Sequence, residues 1–309
     1  MHAYIISVGS SKKSIVASVV ADLLIALVKF IGGALTGSAV MVAEGIHSLL
    51  DGGSASLVLL GEQLSARPAT RRHPFGHGKE VYFWTTVVAM LAFIIGGGFA
   101  VLEGVLALRE REHRRMWINF VVLGAAFVFN AVSLWIAVRE LKRYQKRKGY
   151  RGGILRVIQQ SHNPPIFVAV IADSAALVGL IIAFAGVTVS ALTGSPIADA
   201  VASMADGAVM MLTGVLLGAE ARGLVIGEGA RTVLLRDARR IIDADEHVAA
   251  VDDVRSLQLG PDDVLLVLSA RFARDLRAVD LPAVAQALEA RLRAQHPSIK
   301  HVVFDFGES

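Results

Sequence analysis

Six stretches of the chain stay apolar for close to, or beyond, the roughly 20 residues that a helix needs to cross a bilayer. They run over about 14–36, 39–61, 82–108, 116–138, 165–192 and 197–218. The first connection, Leu35-Thr36-Gly37-Ser38, is short enough to fold the first two into an antiparallel hairpin; those at about 62–81 and 139–163 are longer and polar. After about residue 220 the pattern changes to charged residues with short apolar runs. Val233–Ile242 reads as a helix, and Val251–Leu259 as a strand closed by the turn Gly260-Pro261-Asp262-Asp263. Val264, Leu266, Leu268, Ala270 and Phe272 then alternate at the period of a half-buried strand. Asp280 is placed to cap a helix with Leu281, Val284, Leu288 and Leu292 on one face, and Val302–Phe306 is a last strand. The expected architecture is an α-helical membrane protein: six transmembrane helices in residues 1–221, then a small cytoplasmic α+β domain in residues 222–309, ferredoxin-like in its αββαβ order.

Composition agrees: 54% of the 309 residues are hydrophobic and the mean hydropathy is +0.57, more apolar surface than one soluble core uses. Lys12 and Lys13 precede the first run without a small-residue cleavage site, so that run reads as a retained span. The net charge of +4 does not point to nucleic acid, because the basic residues gather beside the apolar runs. Lys12, Lys13, Arg67, Arg71, Arg72, Lys79, Arg139, Lys142, Arg143, Lys146, Arg147, Lys148, Arg151 and Arg156 share one face with the C-terminal tail. The positive-inside rule makes that face, and both termini, cytoplasmic, with a bacterial inner membrane as the expected location. Arg109, Arg111, Arg114 and Arg115 oppose this assignment from the other side. The chain has no cysteine, so any metal is held by His, Asp, Glu, Asn or backbone oxygen.

An ionisable group inside an apolar span costs about 2.5–3.5 kcal/mol at mid-membrane, which makes each one a functional candidate. The densest group is Ala43-Glu44-Gly45-Ile46-His47-Ser48-Leu49-Leu50-Asp51, whose Glu44, His47 and Asp51 stack on one helical face. His47 and Asp51, four apart, offer an imidazole nitrogen and a carboxylate to a first-row divalent ion, or form a His–Asp hydrogen bond that only packs helices. Asp173 in the fifth span adds a second intramembrane carboxylate.

Together with the loop His73-Pro74-Phe75-Gly76-His77-Gly78-Lys79, these residues closely resemble the cation diffusion facilitator family over nearly the whole chain. The Glu44–Asp51 segment, Ala172–Leu177 and Tyr82-Phe83-Trp84 are most similar to its zinc-transporter-nine-like branch. The resemblance implies a transport site built from His/Asp-xxx-Asp pairs on spans two and five, mapping to His47, Asp51 and Asp173 here. Four residues before Asp173 stands Ala169, which has no ligand atom. Asp22, Asn130 or water are the candidates to replace it. Asp22 reads more readily as a helix-packing or protonated carboxyl than as a ligand, and Lys29, seven residues on, can pair with it or reach an interface. In the family the Pro-Phe-Gly-His loop can hold an auxiliary metal with an acid three residues before its first histidine. That position is Thr70, which favours a structural role for His73 and His77.

The implied function is efflux of a divalent transition metal, zinc first, with iron(II), manganese, cobalt and nickel admitted by the donor set. Proton antiport, alternating access, a homodimer joined by the C-terminal domain and no prosthetic group complete the expectation. The metal ion, the proton and the lipid bilayer are the partners. His47 must be neutral and Asp51 and Asp173 ionised to bind metal, so loading expels protons. A membrane metalloenzyme is the competing class, since His73-xxx-His77 matches one histidine box of the di-iron desaturases. Those enzymes need further boxes, and none of the nine histidines forms one; no His-Glu-xx-His motif occurs either. A transport-inactive relative acting as scaffold or partner subunit is the second alternative, raised by Ala169.

Overall fold

The computed structural model describes residues 19–20, 22–108, 117–148, 152–154, 157–158, 163–195 and 197–306. Lys12, Lys13, Arg151, Arg156 and the arginine-rich third connection lie outside them. By contacts the chain divides into two units, residues 1–62 with 83–221, and residues 63–82 with 222–309.

The first unit is helical. Helix α1 covers residues 22–36, α2 Ala39–Ser65, α3 Glu80–Ala107, α4 Trp117–Lys148, α5 Pro164–Thr193 and α6 Ile197–Ile226. Helices α3, α4, α5 and α6 are each long and apolar enough to cross a membrane. Helix α2 has the length, but Glu44, His47, Ser48, Asp51, Ser54 and Ser56 lower its hydropathy. Leu24, Leu27, Ile94, Val121, Val128, Ile181 and Leu212 are exposed, the apolar surface that lipid would cover without cost.

Helix α4 continues ten residues past its apolar run, carrying Arg139, Lys142, Arg143 and Lys146 on its last turns instead of in a loop. Glu, Leu, Lys, Arg and Gln propagate a helix well, so the end of the apolar run does not end the helix. The Arg139 guanidinium lies over the Trp135 ring, 5.3 Å from its centroid. Gly194, at φ 69°, terminates α5 by donating its backbone N–H to Ser190 O.

Small residues bring α3 and α6 to backbone contact. A Cβ on Gly97 would stand 2.9 Å from Gly207 O, one on Gly207 2.8 Å from Gly97 O, and one on Gly214 2.7 Å from Ala89 O. On the other side of α6, a Cβ on Gly186 of α5 would collide with Ala202. Held from both sides, α6 keeps its interior positions away from lipid. Within α3, Ala92–Gly97 forms a π-helical turn, the kind of irregularity that often marks a functional region. The N-terminus of α2 is capped from α6: Asp199 accepts from Ser38 Oγ at 2.8 Å and from the backbone N–H of Ala39 at 2.8 Å. Those first-turn donors have no partner of their own helix.

The second unit contains α7 (Thr232–Asp243), β1 (Val248–Gly260), β2 (Asp263–Phe272), α8 (Leu281–Gln295) and β3 (Ile299–Phe306). Its three-stranded sheet has the order β1-β2-β3, β1 antiparallel and β3 parallel to β2. Val264, Leu266, Leu268 and Ala270 are buried, as their alternation requires, and the last three pack in one core with Ala238 and Ile242 of α7 and Leu288 and Leu292 of α8. Asp280 precedes α8, but its side chain makes no cap; the Arg277 guanidinium, 2.7 Å away, competes for the carboxylate and holds it. The segment 63–82 packs in this unit, with Phe75 edge-on to His301 at 5.4 Å between centroids.

Candidate metal site

Because Glu44, His47 and Asp51 recur every three or four residues on α2, their side chains leave one stripe of the helix. Glu44 and His47 are 1% and 2% exposed, and the Asp51 side chain 22%. Lys29 of α1 meets the stripe first. Its ammonium donates to Glu44 Oε2 at 2.7 Å, to Ser48 Oγ at 2.8 Å and to Glu44 O at 3.2 Å. The Lys29 side chain is buried and pairs with Glu44 instead of reaching an interface. Asp22 sits beside Gly52, where a Cβ would stand 3.2 Å from its own.

His47 lies between two carboxylates. Its Nε2 is 3.8 Å from Asp51 Oδ2, and its Nδ1 is 3.6 Å from Oδ1 of Asp206 on α6. Asp173 on α5 accepts from Ser133 Oγ of α4 at 2.9 Å and is near enough to Asp51 for their charges to interact. A cavity of about 20 Å³ lies against His47, Asp51, Ser54, Ala172, Met210 and Thr213. That volume admits about one water or one bare ion.

The three residues expected from the sequence are therefore near one another but not in one tight cluster. Among the described residues, the group of three ligands whose donor atoms all lie within 4.8 Å is Glu44, His47 and Asp206. Asp206 is the residue the sequence reading missed. It is the acid in the interior of the sixth apolar run, and the insertion cost that singles out Asp173 applies to it equally. Of the candidates to replace the ligand absent at Ala169, Asn130 donates to Ala126 O of its own helix at 2.9 Å, the one-turn contact open to any helical asparagine. His73 and His77 lie in the other unit, ring centroids 4.5 Å apart, with His77 Nδ1 3.2 Å from Pro68 O.

The donor set of imidazole and carboxylates, without sulfur, suits a first-row divalent cation. Residues 15–223 match the cation efflux transmembrane domain. The chain is 25% identical to the proton-coupled zinc antiporter SLC30A9 of Xenopus laevis, across 89% of this chain and 56% of that protein. It is 27% identical to the human protein of the same name, across 75% and 41%. To the magnetosome protein MamB of Magnetospirillum gryphiswaldense it is 28% identical, across 91% and 89%. The chain spans about half the length of the zinc antiporters it matches. A match over more than half of its length places the chain in the cation diffusion facilitator family, whose members are metal transporters rather than enzymes.

Proposed function

We propose that this protein exports a divalent transition metal in exchange for protons, with zinc as the first cargo. One observation carries the reading: buried His47 and the carboxylate of Asp51 line a cavity of one-ion size among apolar helices. Similarity to proton-coupled zinc antiporters supports zinc and antiport, while similarity to a magnetosome protein supports iron(II) as the competitor. His47, Asp51 and Asp173 are the transport ligands. Metal displaces protons from them, and protonation on the other side displaces metal, so alternating exposure of the site couples the two gradients. In this reading α1 and α2 complete six spans, residues 1–221 form the transport domain, and both termini are cytoplasmic in a bacterial inner membrane. Residues 222–309 form a ferredoxin-like domain that joins two copies.

The test is flux in proteoliposomes carrying a pH dye, with zinc, iron(II), manganese and cobalt competing. Zinc entry should move protons the opposite way, and His47→Ala, Asp51→Ala and Asp173→Ala should each abolish it while the protein stays monodisperse. Normal flux in any two of these variants would remove the site assignment, and zinc entry without proton movement would remove antiport. The missing ligand at Ala169 favours a second reading, a transport-inactive scaffold. Absence of flux for every metal in the unaltered protein would establish it.

A further inference from the structure

The buried polar groups around His47 fall into two sets, and the transport ligands account for only one of them. Glu44 Oε1, His47 Nδ1 and both carboxylate oxygens of Asp206 are buried and have no hydrogen-bond partner among the described residues. Each such atom costs about 1–3 kcal/mol or more to leave unsatisfied. All of them converge: one donor atom from each of these residues lies within 4.8 Å of the others. Two carboxylates this close repel in a dry bundle. Lys29 compensates Glu44 through Oε2 but leaves Oε1 and both oxygens of Asp206 without a donor. Gly179 of α5 supplies the room, since a Cβ there would collide with Asp206 Oδ1 and stand 3.0 Å from Glu44 Oε1. Zinc bonds of about 2.0 Å in a tetrahedron set its ligand atoms roughly 3.3 Å apart. The 3.6 Å from His47 Nδ1 to Asp206 Oδ1 needs only slight closure to meet that spacing.

We propose that Glu44, His47 Nδ1 and Asp206 form a second binding stop for the divalent cation, separate from the one at Asp51 and Asp173 and sharing the imidazole with it. The proposal rests on the reading of His47, Asp51 and Asp173 as transport ligands. Glu44 lies seven residues, about 10 Å, from Asp51 along α2, toward its Ala39 end. A neutral imidazole has one free lone pair, so His47 serves one stop at a time. The ion passes from Nε2 beside Asp51 to Nδ1 beside Asp206, on the side of the first connection, as the ring changes tautomer: Nδ1 releases its proton and Nε2 takes up one of the counter-transported protons.

The full chain, purified in detergent with His73→Ala and His77→Ala in every sample, tests this by equilibrium dialysis against zinc. Asp51→Asn with Asp173→Asn should still bind one zinc per chain. Adding Asp206→Asn should weaken that binding at least about tenfold. Adding Gly179→Ala instead, which keeps every ligand but fills the space, should weaken it similarly and guards against misfolding of the first combination. Loss of zinc from the Asp51/Asp173 double variant, with binding intact in its parent, would overturn the second stop and leave the transport site standing. Binding unchanged by both additions would also overturn it. No zinc on the parent would overturn both readings.

Discussion

Removing the charge of Lys29 should unsettle the bundle more than its size suggests. The pair with Glu44 is 2.7 Å long and both side chains are 1% exposed. At an effective dielectric constant of about 20 the attraction is about 6 kcal/mol, before desolvation is subtracted. Deleting one member of such a pair costs about 3–5 kcal/mol, because the survivor is left buried and uncompensated. In Lys29→Met that survivor is the Glu44 carboxylate, whose cheapest escape is to take up a proton. From a reference value near 4.3, neutralisation at pH 7 costs about 3.7 kcal/mol, which caps the penalty and makes it fall by about 1.4 kcal/mol per unit of acidification. The apparent melting midpoint of the detergent-solubilised protein should drop on the order of 10 °C at pH 7. The drop should be smaller at pH 6, and Lys29→Met with Glu44→Gln should recover at least half of it. A single variant within about 2 °C of the parent, or a double variant as unstable as the two singles summed, would refute the reasoning.

Asp199→Ala removes the acceptor for Ser38 Oγ and the Ala39 N–H, so it should cost about 1–3 kcal/mol, visible as a lower melting midpoint with zinc binding retained once folded. Burial pushes the Asp245 carboxyl up, but hydrogen bonds from the backbone and ring of His247 and the charge of Arg291 hold it below its ordinary value. Its contribution is therefore complete above about pH 4 and is lost as pH falls through the lowered folded value. Hydrogen exchange of β1 and α8 in the full chain should be faster in Asp245→Asn than in the parent at pH 6, and the two should converge in acid. Equal exchange at pH 6 would contradict this.

The features legible in the sequence were those with a period. Alternation along 264–272 yields a strand buried at every second residue, and the three-and-four spacing of Glu44, His47 and Asp51 places them on one stripe. Periodicity speaks only of neighbours on the same element. It offers Lys29 the partner seven residues away, Asp22, and is silent on Glu44, fifteen residues away on the next helix. Asp206 shares a stripe with Asp199 and Ser203 on its own helix, a signal the sequence reading passed over, and its neighbours on α2 and the gap at Gly179 lie outside any periodicity. The end of α4 was misplaced because hydropathy reports where the apolar run stops, whereas helical propensity decides where the helix stops.

The composition of the site also bears on how an ion leaves it. With one imidazole, several carboxylates and no thiolate, binding alone ranks zinc above iron(II) and manganese. A cargo of iron(II) would therefore need its selectivity from supply or from geometry, not from affinity. A transporter gains nothing from a site that holds its ion too firmly, since conduction requires binding strong enough to load and weak enough to release. Ala169 takes one ligand away from the Asp51 side, while Asp206 adds one on the far side of the same histidine. Under the proposed export, that asymmetry would loosen the ion at the stop it leaves first and offer it the next ligands within the width of one imidazole ring.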